Sequence, residues 1–276
     1  MRRQWLLVLL LVFCLGLVPL AEAGVPVADL TDLGKWFAGN DKTPLEYELT
    51  IAEDGYFGDS CLQISYRVTE EYEPGMQPRV YVGSRFPAQD WSEAEYLSFW
   101  IKILPGSKAN NISPWVRGTG KGGNAAVKIP FAEYASLQGW QKITVPMEKV
   151  AAVAVPLEEV VEFRFYLTGI WNVGTTGTVL FDALYLEPAE PTFDVDIAEA
   201  SGQLTIQVAD PEDFAYPPKV RVMDLYALLG IGEPKYLTVT KEGQSYVATY
   251  DLAGANTVTI EVIAPGQPIK TIEWKR

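Results

Sequence analysis

Histidine is absent from this 276-residue chain, and that absence narrows the chemistry its side chains can do. Ser-His-Asp and Cys-His catalysis, His-ligated zinc and the usual proton shuttle at neutral pH all require an imidazole. What remains is carboxylate chemistry, as in glycoside hydrolysis, or Lys and Tyr working as acid and base. Cysteine offers little more. Of the two present, Cys14 lies inside an N-terminal apolar run, and Cys61 sits among alternating residues as a small buried hydrophobe would. Aromatic and arginine residues, by contrast, recur at a spacing of two: Arg79 and Tyr81, Trp115 and Arg117, Arg164 and Tyr166. In a strand that spacing puts each pair on one side. A ring offers a flat apolar face, and a guanidinium offers a fork of directional donors that keeps its charge. Such residues hold ligands; they do not break bonds.

The elements that must position them are strands. Three phrases, EYLSFWIKI (95–103), GWQKITVP (139–146) and TVLFDALYLE (178–187), alternate apolar and polar residues, the pattern of strands buried on one face. Eight main strands are read before residue 188: Cys61–Val68, Arg79–Phe86, Tyr96–Ile103, Ile112–Gly118, Ala125–Pro130, Trp140–Val145, Glu162–Leu167 and Thr178–Leu186. Residues 25–60 add a strand or two, and short patches at Phe131–Leu137 and Val150–Val153 make single turns. The succession predicts a jelly-roll sandwich over residues 24–188. Glu187-Pro188-Ala189-Glu190-Pro191 is the domain break. Seven short strands follow, near 193–197, 202–208, 219–222, 236–241, 245–251, 257–263 and 269–274. They predict a smaller immunoglobulin- or fibronectin-like sandwich over residues 191–276, without the cysteine pair of antibody domains. The class is all-β throughout.

Residues 1–23 read as a signal peptide: Arg2 and Arg3, an apolar run from Leu6 to Leu20, then Ala21-Glu22-Ala23 for cleavage. The run is short for a membrane span of about 20 residues, so the expected location is secreted or in the cell envelope, with membrane contact only through an uncleaved anchor. With the signal gone, Cys61 is alone and no internal disulfide is possible. A formal charge of −13 argues against nucleic acid as a partner. Gly118-Thr119-Gly120-Lys121-Gly122-Gly123 lacks the Walker spacing and reads as a hairpin loop.

The phrases LSFWIK, GWQKITVP and LFDALYLEP resemble the motif set of jelly-roll, galactose-binding-like carbohydrate-binding modules, family 11 and its neighbours in particular. The likeness covers residues 25–188 and leaves the rest out. It implies that the strands containing Arg79, Trp115, Arg164 and the segment 125–130 share one sheet, whose outer face is the glycan surface. By alternation Val80, Val82, Ile112, Pro114, Val116, Phe163, Phe165 and Leu167 then point inward. Tyr81, Trp115, Tyr166, Arg79, Arg117 and Arg164 point outward together as a ligand-binding group, with Glu162 beside them. Pyranose C–H patches pack on the rings, and the guanidinium forks meet the hydroxyls. No cofactor is required. Related modules hold a structural calcium, and its ligand here would be Asp182, with Asp29, Asp32 or Asp59 as partners. The adjacent acid that often follows is Ala183 in this chain, which weakens that inheritance.

Three functions are therefore in play. The first is non-catalytic binding of a polysaccharide or cell-surface glycan. The second is a cell-envelope protein-interaction or scaffold role, with the outer face flat or covered. The third is a carboxylate-based glycosidase or lyase, which needs two acids facing each other across a cleft at roughly 5–10 Å. Arginines and rings on a sheet face also arise as ordinary cross-strand pairs, worth about 0.2–1 kcal/mol each. An N-terminal loop or the second sandwich lying over the face would likewise turn it into internal packing.

Overall fold

A computed structural model of the chain describes residues 24–41, 44–73, 78–120, 123–125, 127–152, 156–170, 172–210 and 213–276. The leader with its Leu6–Leu20 run, Cys14 and Trp171 lie outside them. Among the described residues no helix is long and apolar enough to cross a membrane.

Alternation makes the strands, numbered here in chain order. They are β1 (Val25–Pro26), β2 (Trp36–Gly39), β3 (Leu45–Ala52), β4 (Cys61–Val68), β5 (Arg79–Gln89), β6 (Tyr96–Ile103), β7 (Asn111–Gly118), β8 (Gly123–Ala125), β9 (Ile129–Pro130), β10 (Gln141–Pro146), β11 (Val160–Thr168) and β12 (Thr176–Glu187). All pair antiparallel. One sheet runs β10-β6-β12-β4-β3 with β1 alongside β12; the facing sheet runs β2-β5-β11-β7-β8, with β9 on β7. The expected strand at 125–130 is two short pieces, and the N-terminal segment contributes three strands in place of one or two. The two patches read as single turns are short helices, α1 (Phe131–Ala135) and α2 (Met147–Ala151). This is a jelly-roll β-sandwich.

Its core lies between the sheets. Leu62 and Ile64 of β4, Phe99 and Ile101 of β6, Phe163 and Phe165 of β11 and Phe181 of β12 are fully buried there. Phe165 stacks on Phe181 at 4.1 Å between ring centroids and meets Phe99 edge-on at 4.8 Å. Each such ring contributes roughly 1.5–3 kcal/mol from burial. Trp36 and Trp91, which the sequence leaves unplaced, both enter this core, and their indole N–H groups donate to the Asp29 carbonyl (2.7 Å) and to Gln89 Oε1 (3.0 Å).

Cys61, at the start of β4, is buried. Burial pushes its thiol up to about 12, and the nearby carboxylates of Asp182 and Asp54 add to the rise. Since the thiolate is the reactive form, native protein at about pH 8 should resist iodoacetamide and react fully once unfolded in guanidinium. Rapid labelling of the native chain would show that the β3–β4 edge opens readily.

Beyond residue 191 come β13 (Val195–Ala200), β14 (Gln203–Ala209), β15 (Lys219–Met223), the short helix α3 (Leu225–Leu228), β16 (Lys235–Leu237), β17 (Thr240–Glu242), β18 (Ser245–Asp251), β19 (Thr257–Ile263) and β20 (Lys270–Lys275). They form two sheets, β13-β14-β18-β17 and β16-β15-β19-β20. A separate core fills the space between them, built from alternating residues such as Leu204, Ile206 and Val208, and Val258, Ile260 and Val262. The segment read as one strand over 236–241 is divided between the two sheets, as β16 and β17. A tight hairpin joins β17 to β18, with Gly243 at φ +64° where L residues are strained.

The two sandwiches meet on the outer face of the first-named sheet. Trp100 (β6), Trp140, Ala183 and the loop residues Tyr56 and Phe57 pack there against Ile263 and Ile269. Tyr56 stacks on Trp100 at 3.8 Å. Trp100 is thus covered by the loop before β4 and by the second sandwich. Lys142, on β10, ties the junction with its ammonium 2.8 Å from Glu187 Oε1 and 2.8 Å from the Gln267 carbonyl. The consequence for function is direct: among the described residues, the second sandwich sits against one sheet and leaves the other sheet's outer face open.

Candidate functional site

On that open face β11 lies between β5 and β7, and the register sets its side chains in rungs. Tyr166 is opposite Tyr81 and Ser113. Arg164 is opposite Gly83 and Trp115. Glu162 is opposite Arg85 and Arg117. On the far side of β5, β2 puts Phe37 opposite Gly83 and Gly39 opposite Tyr81. The alternation therefore brings Arg79, Tyr81, Trp115, Arg117, Arg164 and Tyr166 onto one face, and the inward set is buried as expected. Two further members, Arg85 and Phe37, were not read from the sequence. Arg85 continues the spacing of Arg79, Tyr81 and Gly83, so the signal was present. Phe37 had none beyond a short apolar stretch whose pairing is invisible in one dimension.

Sharing a face is not the same as reaching solvent. Glu162, expected outward, is completely buried beneath its neighbours. Its Oε1 takes the Arg164 Nε–H at 2.7 Å and also the Arg164 Nη2, while Oε2 takes the Arg85 Nε–H at 3.3 Å and lies 3.3 Å from Arg117 Nη1. Arg164 donates onward to the Tyr166 hydroxyl at 3.0 Å, and its side chain is only 14 % exposed. Its guanidinium lies 4.5 Å from the Trp115 ring centroid, 4.6 Å from that of Tyr81 and 5.5 Å from that of Phe37. Burial opposes the Arg164 charge, but the hydrogen bonds to Glu162 and Tyr166 outweigh it and raise its pKa. Burial also pushes the Tyr166 phenol up, against the pull of Arg164. Tyr166 is 8 % exposed, with Tyr81 at 5.1 Å, Trp115 at 6.3 Å and the Arg79 guanidinium over it at 5.3 Å. Arg164 and Tyr166 thus differ from the sequence expectation: they form the floor of the face and are not free to meet a ligand.

Glycine makes that floor possible. A Cβ on Gly83 would stand 2.7 Å from Arg164 Cγ and 3.0 Å from the Phe37 ring. One on Gly39 would run into the Tyr81 ring, and one on Gly123 into the Trp115 ring. The missing side chains let the rings lie down over neighbouring strands around one central cation. What stays accessible is half-buried Trp115, Tyr81 and Phe37, bordered by Arg117, Arg85 and Arg79. Arg79 is held by Asp41 at 2.7 Å. The face can offer aromatic patches with guanidinium donors around them.

The acid singled out for calcium lies elsewhere. Asp182 sits in a bulge of β12, where the register with β6 shifts between Asp182 and Tyr185 and Ala183 takes φ +49°. The backbone N–H groups of Tyr56 (2.6 Å) and Phe57 (3.1 Å) donate to its Oδ2, and that of Ala183 (2.7 Å) to its Oδ1. Burial raises its pKa, and these three donors pull the other way. A carboxylate has about four acceptor positions, so little of this one is left for a cation. Asp29 accepts from Thr31, and Asp32 caps a 3-10 turn at Gly34. Among the described residues no three acids, cysteines or histidines gather as a metal site. The donor set does not suit calcium.

No family model matches the sequence and no curated relative does. Similar solved structures exist. A family 11 carbohydrate-binding module from Clostridium thermocellum, in complex with a β-1,3-1,4-mixed-linked tetrasaccharide, is 16 % identical, covers 61 % of this chain and 96 % of its own, and has a TM-score of 0.43. A non-crystalline-cellulose-specific module of family 28 is 15 % identical, covering 61 % and 98 %, with a TM-score of 0.45. A β-1,2-glucanase from Parabacteroides distasonis is 14 % identical with a TM-score of 0.46; the match covers 93 % of this chain and 37 % of that enzyme.

Proposed function

We propose that this chain is an exported, non-catalytic carbohydrate-binding protein, with a polysaccharide or cell-surface glycan lying across the outer face of the β2-β5-β11-β7-β8 sheet. The observation that carries this reading is the convergence of Trp115, Tyr81 and Phe37 with Arg117, Arg85 and Arg79 on a sheet that the second sandwich leaves open. Sugar C–H patches would pack on the rings, and the hydroxyls would accept from the guanidinium groups. A shallow site of this kind binds with Kd of order µM to mM, or roughly −4 to −8 kcal/mol. A catalytic role would need an acid able to touch substrate. Glu162 is sealed and held by three arginines, and Asp41 is held by Arg79.

Affinity electrophoresis and glycan arrays test the proposal. Trp115→Ala and Tyr81→Ala are each expected to weaken retention about tenfold, or ~1.4 kcal/mol, in variants whose melting shows them still folded at the assay temperature. Absence of retention on every polysaccharide would sink it. A second reading, a cell-envelope interaction protein, has one observation in its favour. The segment around α3 exposes Leu225, Tyr226, Leu228, Leu229 and Ile231, the last to 75 %, and exposed apolar patches of this kind mark contact surfaces. On that reading, the chain shows no glycan retention, and Leu229→Ser and Ile231→Ser abolish envelope association.

A further inference from the structure

On the opposite side of the first sandwich, the junction with the second opens into a cleft of about 490 Å³. Its near wall is Tyr56 and Trp140, and its far wall is Lys219 and Arg221 of β15 with Tyr236 of β16. Three hydrogen-bond donors line it. The Tyr56 hydroxyl is buried, on a side chain only 6 % exposed, with the Tyr236 hydroxyl as its neighbour across the cleft. The Trp140 Nε1–H is buried and unpartnered, on a ring 6.1 Å from that of Tyr56. The Lys219 ammonium lies 4.6 Å from the Tyr56 ring centroid and forms no ion pair among the described residues. Burial lowers its pKa while Asp182 opposes the shift.

Orphaned buried donors are rare in folded proteins, and the buried Trp140 N–H beside the half-buried, unpaired Lys219 ammonium leaves this cleft short of acceptors. The local carboxylates do not meet it. Asp54 is paired with Lys102 at 2.5 Å, Glu261 with Arg221, and Asp182 faces the backbone N–H groups of its own bulge. Glu233, also at the cleft, is solvent-exposed. We propose that this cleft is a second ligand site and takes a small carboxylate about the size of one sugar acid. A carboxylate brings acceptors only, up to about four positions on two oxygens, and its bonds to an ammonium are charge-assisted. The volume lies within the range of small-molecule sites, which favour domain junctions. Trp140 and Tyr236 supply apolar walls for the C–H groups of the ligand. Because the walls belong to different sandwiches, the ligand bridges them.

The inference does not rest on glycan binding at the sheet face, and its test is separate. Isothermal titration of the whole chain with glucuronate should give saturable binding, while glucose at the same concentrations gives none. Tyr56→Phe, which keeps the ring and its stacking on Trp100, and Lys219→Met should each weaken glucuronate at least tenfold. Lactate in a parallel titration separates the sources. Binding of glucuronate alone assigns a sugar acid; binding of both assigns small carboxylates generally. No saturable binding of either acid up to about 20 mM overturns the proposal. So does glucuronate binding that survives Tyr56→Phe, since it would come from elsewhere, such as the arginine-bearing sheet.

Discussion

Glu162→Ala is expected to destabilise the first sandwich by about 3–5 kcal/mol, the usual cost of leaving a buried charge without its partner. The charge left behind is Arg164, which is 14 % exposed and wedged among Trp115, Tyr81 and Phe37 with two of its nitrogens on the lost carboxylate. Arg85 and Arg117 are 67 % and 44 % exposed and can turn to water, so they contribute little to the cost. At roughly 2–4 °C per kcal/mol for a unit of this size, the melting temperature should fall by about 6–20 °C. Calorimetry on the variant measures it directly. The double replacement Glu162→Leu with Arg164→Met should recover much of the loss, because exchanging both members of a buried pair for apolar residues is often neutral. A single-variant loss below about 1 kcal/mol would mean that the carboxylate does not organise the face. Glycan retention adds a second readout: with Arg164 unanchored, the rings packed on it lose their support, and retention should fall even in molecules that remain folded.

That prediction could not have been made from the sequence, and the reason is geometric. Alternation tells which side of a sheet a residue faces, and it placed Tyr81, Trp115, Tyr166 and their arginines correctly because β5, β7 and β11 alternate without interruption in between. The one register shift in β11 falls between Val160 and Glu162, before the residues that matter. Alternation says nothing of height above the sheet. Height is set by which neighbours lack side chains, here Gly83, Gly39 and Gly123, and by pairings across strands that are distant in the chain. Glu162 and Tyr166 therefore read as outward and prove to be covered. Phe37 belongs to β2, which pairs with β5 more than forty residues later, so nothing near it in the sequence announces its place. The fold class was more legible than the site because every core strand repeats the same two-residue pattern. The cleft between the sandwiches was not legible at all, since its walls come from turns and from two separate sheets.

The same contrast between local pattern and distant pairing bears on Asp182. By resemblance it was a candidate calcium ligand; in the structure it accepts hydrogen bonds from Tyr56, Phe57 and Ala183 and so pins the loop before β4 onto β12 across more than 120 residues of chain. Tyr56 and Phe57, fixed in this way, are the residues that pack Trp100 against the second sandwich. Asp182→Ala would leave three backbone donors without their acceptor and loosen that packing, for a loss of about 2–4 kcal/mol. It should also expose Trp100 and Trp140 to quenching by acrylamide. The charge itself is not what stabilises: burial holds the folded-state pKa above its ordinary value. The folded form therefore binds the proton more tightly than the unfolded one, so this group's contribution is most favourable below the ordinary carboxylate pKa and declines as pH rises through the raised one. Asp182→Asn keeps an oxygen for the Tyr56 and Phe57 N–H groups and should cost less than half as much as Asp182→Ala. Calcium chelation distinguishes the two roles. With the acceptor positions already occupied by N–H groups, EGTA should leave the melting temperature of the unaltered chain where it is, whereas a drop of several degrees, restored by calcium, would return Asp182 to the role of a metal ligand.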